Sequence, residues 1–215
     1  LHVAYRFFQS GFKKIYIAAG WQFDRFQSKL LAQMEKAEGH PILAEMIKRC
    51  HFEVLDTGKE ADTAERVSQI PATAADTFFI TYGDTITNLN CNEAIKIYEK
   101  ARQFDSSISQ TCVTQPENSF GVLDVDMEDM KVISFNEKQP RLPVWVGCGF
   151  HLIPVSSFRE NSDTSLERET LPRLARQKKL NFYCHHGLWH PLDKMADLMA
   201  LEDRYHKAQK SLPWL

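Results

Sequence analysis

The stretch Thr77–Asp84, with the sequence Thr-Phe-Phe-Ile-Thr-Tyr-Gly-Asp, decides the fold predicted for this chain. Its first residues are apolar or β-branched, which is typical of a strand buried on both faces. The run breaks at Gly83 and delivers one carboxylate, Asp84, at the carboxyl end of the strand. Ligands of open α/β sheets bind at such ends, so Asp84 is a candidate ligand for a divalent cation that holds a phosphate. The alternative is a turn aspartate that caps the next element, because Gly-Asp is common in turns.

The composition restricts the classes of protein. A chain of 215 residues is long enough for one domain with a sizeable core, and its net charge of -2 gives no argument for a nucleic-acid or anionic-membrane partner. No apolar run approaches the ~20 residues that span a bilayer, and no secretory pattern is present. The five cysteines are scattered without a C-x-x-C pair, which predicts reduced thiols in a cytoplasmic protein.

Strand and helix patterns alternate along the chain, which predicts βαβ units and a mostly parallel sheet. The predicted strands besides the opening stretch are Lys14–Ala19, Phe52–Leu55, Thr111–Thr114, Phe120–Val125, Lys131–Phe135, Trp145–Ile153 and Asn181–Cys184. The predicted helices are Leu1–Phe12, Phe23–Met34, Pro41–Arg49, Asn90–Arg102, Leu166–Gln177 and Lys194–Gln209.

Three helix starts have the pattern of a capping box, in which two side chains satisfy the first free amides. These pairs are Asp62 with Glu65, which predicts a further helix there, Thr164 with Glu167, and Asn90 with Glu93. Arg66 follows the first pair directly. It is either a solvated helix residue or a contact to an anion and a base.

Several other residues are candidates for ligand contacts. Glu137 and Lys138 stand side by side after a predicted strand and offer an acceptor for sugar hydroxyls and a cation for a phosphate; the alternative is a surface charge pair at a turn. Gly121 and Gly149 interrupt predicted strands and permit close approach of a ligand to the backbone. Asp193 precedes the last predicted helix, either as its N-cap or as a ligand.

Taken together, these segments resemble the sugar-1-phosphate nucleotidyltransferases, and among them the glucose-1-phosphate cytidylyltransferases. In one segment, Ala64-Glu65 stand where the family usually has Gly-Gly. The matching segments occur in family order over nearly the whole chain: Leu55–Arg66, Phe79–Asp84, Thr114–Pro116, Phe120–Asp124, Phe135–Lys138, Gly149-Phe150, Leu166–Leu171, Gly187–Asp193 and Pro213-Trp214.

The resemblance implies an α/β fold with a doubly wound, mostly parallel sheet, of the nucleotide-diphospho-sugar transferase type, in a single domain over residues 1–215. It implies transfer from CTP to a sugar 1-phosphate, with glucose 1-phosphate as the expected acceptor, giving a CDP-sugar and pyrophosphate in polysaccharide biosynthesis. The implied site consists of Asp84 and Asp193 for Mg²⁺, Arg66 and Gly83 for the nucleotide, Glu137 for sugar hydroxyls, Lys138 for the sugar phosphate, and Gly121, Gly149 and Glu167 for the sugar pocket; Asp84, Lys138 and Asp193 are the implied catalytic residues.

Two alternatives stay open. One is an enzyme that uses another nucleoside triphosphate or another phosphorylated acceptor, and the other is a non-catalytic regulatory subunit that binds a sugar nucleotide. The family often assembles into homo-oligomers, and Trp214 is a candidate contact between copies.

One family feature has no match in residues 1–215, namely the first strand with its Gly-rich triphosphate loop. That strand is central in a doubly wound sheet, so its two neighbours are expected to carry unpaired edges. The segment lies outside this chain, comes from another chain, or is lost in a family member that binds without catalysis. We favour the first explanation, an N-terminally incomplete domain, because Asp84, Lys138 and Asp193 are all present.

Overall fold

The computed structural model describes residues 1–118, 120–137, 141–159 and 161–207. Its helices are α1 (His2–Gln9), α2 (Phe23–Ala37), α3 (Pro41–Arg49), α4 (Thr63–Ser68), α5 (Cys91–Arg102), α6 (Ser156–Arg159), α7 (Leu171–Arg176) and α8 (Met195–Lys207), with a 3₁₀ turn at Ala72–Ala74 and a π-helical segment at Leu166–Thr170. Its strands are β1 (Lys14–Ala19), β2 (His51–Asp56), β3 (Thr77–Thr81), β4 (Thr85–Thr87), β5 (Ser109–Thr114), β6 (Val122–Asp126), β7 (Lys131–Asn136), β8 (Val146–Pro154), β9 (Leu180–Cys184) and β10 (Trp189–Pro191).

The strands form one four-stranded sheet and three two-stranded pairs. The larger sheet has the order β3-β8-β5-β9, in which β8 is antiparallel to both neighbours and β5 is parallel to β9. Thus β3, β5 and β9 point the same way and β8 is reversed. The pairs are β1 with β2 (parallel), β4 with β10 (antiparallel) and the hairpin β6–β7.

The predicted α/β class is therefore confirmed. In the described part of the chain β1 pairs only with β2, and β3 pairs only with β8. Each of these two strands has one unpaired edge, as do the other outer strands of the described sheets. No described helix is long and apolar enough to cross a bilayer.

Local patterns predicted several elements to the residue, including Lys14–Ala19 and Pro41–Arg49. The Asp62–Glu65 capping box is also present. The amide of Thr63 donates to Asp62 Oδ1 over 2.7 Å, and the amide of Asp62 donates to Glu65 Oε2 over 2.8 Å.

The second predicted capping box, Thr164 with Glu167, is wrong. Ser165 is the N-cap, and its side chain accepts from the Arg168 amide. Glu169 closes the turn instead, because its Oε2 accepts from the Thr164 amide over 2.6 Å. The wider π-helical turn shifts the capping carboxylate by two positions, and Glu167 is left to bind elsewhere.

Aromatic side chains attach α1 to the four-stranded sheet. Phe7 of α1 is 7% exposed, and its ring centroid lies 5.1 Å from that of Phe79 on β3 and 5.3 Å from that of Phe12. Phe79 packs in turn against Phe150 on β8, with centroids 6.3 Å apart. Because edge-to-face rings add to the free energy gained by burial, this cluster fixes α1 over the strands that lead to Asp84.

The aromatic cluster predicts that Phe7→Ala is strongly destabilising. Removing a buried ring leaves a cavity, so the free energy of unfolding should fall by about 3–5 kcal/mol. Phe104 is the matched control because it is 86% exposed. Phe104→Ala should change that free energy by less than about 0.5 kcal/mol. Urea denaturation measures both, and equal midpoints for the two variants would contradict the assignment.

Candidate active site

The short ladder between β4 and β10 sets the backbones of the two candidate metal ligands near each other. Thr85 lies opposite Pro191 in this antiparallel pair. The pairing extends one residue further, because the amide of Leu192 donates to the carbonyl of Asp84 over 2.8 Å. The backbones of Asp84 and Asp193 therefore adjoin at the end of the ladder, although the two residues lie far apart in the sequence.

Both aspartates have exposed side chains. Within the described residues, no hydrogen bond or ion pair engages either carboxylate. Asp193 is not the cap of α8, because Asp197 Oδ2 accepts from the amides of Asp193 and Lys194 over 3.0 and 2.8 Å. Of the two roles left open for Asp193, the structure removes the capping role.

The loop before β10 is fixed by side chains from both sides of the ladder. Asn88 Oδ1 accepts from the Leu188 amide over 2.7 Å, and the Thr87 hydroxyl donates to the Leu188 carbonyl over 2.8 Å. His185 Nε2 lies 2.9 Å from the same carbonyl. A carbonyl oxygen only accepts, so the proton of this imidazole is on Nε2. Burial lowers the pKa of His185.

Arg141 connects this loop to the carboxyl end of β5. Its Nη1 donates to the carbonyl of Gln115 over 2.7 Å, and its Nη2 donates to the carbonyls of His186 and Gly187 over 2.8 and 3.1 Å. A guanidinium presents several donors in a fixed plane, which suits a bridge between two loops. Arg141 thereby helps to hold β10, and with it Asp193, in place.

Glu167 joins the end of β3 to the start of α4. Its Oε1 accepts from the Tyr82 hydroxyl, and its Oε2 accepts from the hydroxyls of Thr63 over 2.7 Å and Ser165 over 3.3 Å. Burial alone would raise the pKa of Glu167, but these donors outweigh it and the pKa is lowered. Burial and the Glu167 carboxylate raise the pKa of Tyr82, so Tyr82 remains a neutral donor to an ionised acceptor.

The Tyr82 ring also lies against Gly149 on β8. Gly149 has a φ of +78°, a conformation that side chains rarely adopt. A Cβ at this position would lie 2.9 Å from Tyr82 Cδ2. Both the backbone and the neighbouring ring therefore require glycine here.

His151 lies on β8 beside the same tyrosine. Its ring centroid is 6.3 Å from that of Tyr82, with the two rings 79° apart. The side chain is 3% exposed, and its Nδ1 is buried without a hydrogen-bond partner in the described part of the chain. Burial lowers the pKa of His151 to about 4, so the ring is neutral at physiological pH.

Arg66 lies over the carboxyl ends of β1 and β2. Its Nη1 donates to Thr57 Oγ1 over 2.7 Å and to the carbonyl of Gly58 over 3.4 Å. A Cβ on Gly20 would come within 2.1 Å of the same nitrogen. Arg66 also stands one helical turn after Thr63, the residue that contacts Glu167. Glu167 contacts both Thr63, at the start of the helix that carries Arg66, and Tyr82, which directly precedes Gly83 and Asp84. Tyr82 also packs against Gly149.

Gly121 and Glu137 form a second group at the base of the hairpin. A Cβ on Gly121 would lie 3.0 Å from Glu137 Oε2, so these two candidates face each other. In the ranges that the structure describes, no hydrogen bond or ion pair joins this pair to Asp84, Asp193 or Glu167. Lys138 and Trp214 lie outside the described residues.

Sequence reasoning missed Tyr82, His151 and Thr63 as parts of this region. In the sequence, Thr63 is simply a residue within a capping box, and Tyr82 is the last aromatic residue of an apolar run. Neither pattern indicates a contact with Glu167. Their contacts depend on the pairing of β3 with β8, which sets Thr81 opposite Phe150. The local sequence pattern of neither strand predicts that pairing.

The structure is that of an α/β protein in which Asp84 follows β3 and Asp193 follows β10. The family model described as "Nucleotidyl transferase" matches residues 1–204. The chain therefore belongs to the nucleotidyl transferase family.

Two curated proteins are similar to this chain in sequence. The chain is 29% identical over 165 residues to the glucose-1-phosphate cytidylyltransferase of Salmonella typhi, covering 75% of this chain and 61% of that protein. It is 28% identical over 159 residues to the probable glucose-1-phosphate cytidylyltransferase of Bacillus subtilis (strain 168), covering 73% of this chain and 60% of the relative. The chain thus spans about 61% of the length of the first of these relatives.

A solved structure shows the same fold. The UDP-glucose pyrophosphorylase complexed with UDP-glucose superposes with a TM-score of 0.69 at 13% identity, over 96% of this chain and 86% of that one. At this level of identity the likeness concerns the fold. It agrees with the α/β architecture read from the strand order.

The buried His151 predicts a loss of stability in mild acid. Its pKa is about 4 in the folded protein and about 6.5 when unfolded, so the unfolded state binds more protons between these values. The stability is present above about pH 6.5 and falls as the pH decreases toward 4, by about 3 kcal/mol from this group. Urea denaturation at several pH values measures the slope.

His151→Leu should flatten the slope over that range. His40→Leu is the matched control because His40 is exposed, and it should leave the slope as in the wild type. The same slope in His151→Leu as in the wild type would show that another group causes it.

Proposed function

We propose that this chain catalyses transfer of a nucleotidyl group from CTP to a sugar 1-phosphate, with glucose 1-phosphate as the acceptor, releasing pyrophosphate. The observation that supports the proposal is the β4–β10 ladder, which sets the backbone of Asp84 near that of Asp193 in a member of the nucleotidyl transferase family. The names of the curated relatives support cytidine as the base and glucose 1-phosphate as the acceptor. The five free cysteines support a reducing compartment such as the cytoplasm.

The two aspartates fit Mg²⁺. Both offer hard oxygen donors, are exposed, and have no partner among the described side chains. Mg²⁺ is commonly held by one or two carboxylates together with substrate phosphates and water, so it does not require a complete cage of protein ligands. The described residues contain no cluster of three or more His, Cys, Asp or Glu that could hold a metal. When bound, Mg²⁺ supplies charge neutralisation at the phosphate oxygens.

The remaining residues bind and orient the substrates. Glu167 is held ionised by Tyr82 and Thr63, and it retains lone pairs that can accept from sugar hydroxyls. Gly149, which packs against the Tyr82 ring, is the proposed wall of the sugar pocket next to it. In the proposed site Gly121 and Glu137 add further sugar contacts, and Lys138 binds the sugar phosphate.

Arg66 and Gly83 are the proposed contacts to the nucleotide. Arg66 lies at the carboxyl ends of β1 and β2, where ligands of such sheets bind. Its Nη1 is engaged by Thr57 and Gly58, which orients the guanidinium. Gly83 directly precedes Asp84 and has nothing within 4 Å of the place a Cβ would take, so a ligand has access to the backbone there.

The reaction asks for little covalent chemistry from the protein. An oxygen of the sugar phosphate attacks the α-phosphorus in line, a new P–O bond forms, and the bond to pyrophosphate breaks. Most of the acceleration comes from holding the two phosphates in register and from stabilising their charge. Asp84, Lys138 and Asp193 are the residues proposed to supply these effects.

A second candidate is transfer from another nucleoside triphosphate. The structural likeness to a protein solved with UDP-glucose favours no base over another for this chain, since identity is only 13%. A pyrophosphate-release assay with the intact protein, four nucleoside triphosphates and a panel of sugar phosphates distinguishes the possibilities. Turnover with CTP supports the proposal, and turnover with another base alone replaces it. Thermal stabilisation by sugar nucleotides without any turnover indicates a regulatory subunit.

Replacing Asp84 tests the metal site. Asp84→Asn should lower kcat/KM by about 10²-fold or more, because the amide cannot supply the negative charge that the ion needs. The reaction should also stop when EDTA removes divalent cations, and excess Mg²⁺ should restore part of the activity of the variant. Steady-state pyrophosphate release measures each effect.

The control is Asp76→Asn at the opposite end of the same strand. Asp76 is also exposed, and it directly precedes β3. Its replacement should leave kcat/KM within about twofold, as expected of a surface substitution. Full activity in Asp84→Asn would exclude Asp84 from the metal site.

A further inference from the structure

A tryptophan lies exposed just beyond the carboxyl end of β1. Trp21 follows the strand by two residues and is 67% exposed. Within the described ranges, its indole makes no hydrogen bond and packs against no other aromatic ring. Single exposed apolar side chains are ordinary on protein surfaces, so the backbone and the neighbours of Trp21 decide what it does.

The backbone around Trp21 is held in an uncommon conformation. The amide of Phe23 donates to the carbonyl of Gly20 over 3.0 Å, which closes a tight turn with Trp21 and Gln22 at its corners. Gln22 has a φ of +55°, in the left-handed region that residues other than glycine rarely adopt. Its carbonyl accepts from the Phe26 amide over 2.9 Å, so the start of α2 stabilises this turn. Residues held in such conformations cluster at ligand sites.

The nearest functional candidate to this turn is Arg66, the proposed nucleotide contact. A Cβ on Gly20 would come within 2.1 Å of Arg66 Nη1 and 2.8 Å of Arg66 Nη2, so the guanidinium lies directly on the Gly20 backbone. Trp21 is the next residue, and consecutive Cα atoms are about 3.8 Å apart. A planar ligand that contacts Arg66 therefore lies within reach of the Trp21 indole.

The same arginine connects the turn to the proposed site of transfer. Arg66 lies one helical turn after Thr63 on α4, and Thr63 Oγ1 donates to Glu167 Oε2 over 2.7 Å. The other donor to Glu167 is Tyr82, two residues before Asp84. Contacts between neighbouring residues thus lead from the turn after β1 to the residue proposed to hold the metal and the phosphates.

The chemistry of Trp21 fits a nucleobase better than a phosphate or a protein partner. An indole offers a large flat face and a single N–H donor, whereas a phosphate requires cations or several donors. A protein partner requires an apolar patch of several hundred Å², and the exposed residues that follow Trp21 include the polar Gln22, Asp24 and Arg25. Bases of every kind stack on aromatic side chains.

We propose that the base of the bound nucleoside triphosphate stacks on the Trp21 indole, with the Arg66 guanidinium beside it. The inference rests on the proposed function for the presence of a nucleotide in the site, but it holds whether or not the nucleotide is transferred. Because every base has a π-face, this stack contributes affinity for all nucleotides and does not select cytidine.

Isothermal titration calorimetry of the intact protein with CTP, UTP and inorganic tripolyphosphate tests the stack. Trp21→Ala should weaken the binding of CTP and of UTP by about 5- to 100-fold each, as expected for the loss of one base–aromatic contact. Binding of tripolyphosphate, which has no base, should not change. Trp145→Ala is the matched control, since Trp145 is also exposed (51%), and it should bind CTP as the wild type does.

Tryptophan fluorescence gives a readout that a purely structural role of Trp21 would not produce. A stacked base quenches indole emission, so CTP should quench the wild type and Trp145→Phe to the same extent. Trp21→Phe keeps a ring for stacking and should bind CTP with most of the wild-type affinity, but the quench should be lost.

The results distinguish this contact from the proposed function. Unchanged CTP affinity in folded Trp21→Ala would overturn the stack, even if the wild type releases pyrophosphate. Equal losses of CTP and tripolyphosphate binding would also overturn it, as would a wild type that binds no nucleoside triphosphate. If CTP binding depends on Trp21 but no sugar phosphate gives turnover, the stack is supported and the proposed function is wrong. Circular dichroism establishes that each variant is folded before it is compared.

Discussion

The antiparallel ladder between β4 and β10 is the constraint on which the rest of this structure depends. A single backbone hydrogen bond, from the amide of Leu192 to the carbonyl of Asp84, closes a loop that contains half of the chain. Three strands of the four-stranded sheet (β5, β8 and β9), the hairpin and the π-helical segment lie within that loop. Closing a long loop costs conformational entropy, so the packed elements between its ends must offset that cost. Side chains that hold β10, such as Asn88 and Arg141, therefore also maintain the geometry of the aspartate pair.

Much of the secondary structure follows from local pattern alone. Lys14–Ala19 and Pro41–Arg49 could be predicted to the residue because period-two and helical apolar patterns are properties of adjacent residues. The sheet order could not be predicted in this way. β8 is antiparallel between β3 and β5, and β9 is parallel to β5, and these pairings join residues that are distant in sequence. The Thr164 prediction failed for a related reason, since a π-helical turn moves the capping carboxylate from position 167 to position 169.

The same division applies to the candidate site. Motif reasoning singled out Asp84, Asp193 and Arg66 as candidates, and the structure sets the backbones of the first two near each other. The sequence pattern did not predict the roles of Tyr82 and Thr63, because both contact the candidate site only through Glu167, which comes from another part of the chain. Those hydrogen bonds hold the glutamate ionised in a partly buried place, where burial alone would favour its protonated form. The family motifs thus predict which residues belong to the candidate site, whereas the protonation state of Glu167 depends on contacts that form only in the tertiary fold.

The contact between the Tyr82 ring and Gly149 also restricts how this sequence can change over time. Any side chain at position 149 would clash with the Tyr82 ring and would also have to adopt an unfavourable φ. Glycine is therefore required at this position while the tyrosine remains. A smaller residue at position 82 would remove the steric obstacle but would also remove the donor to Glu167. A substitution at position 149 or at position 82 alone is therefore unfavourable, whichever of the two comes first. Lineages that diverge here must replace the pair jointly, and the pair should appear as a correlated substitution among homologues.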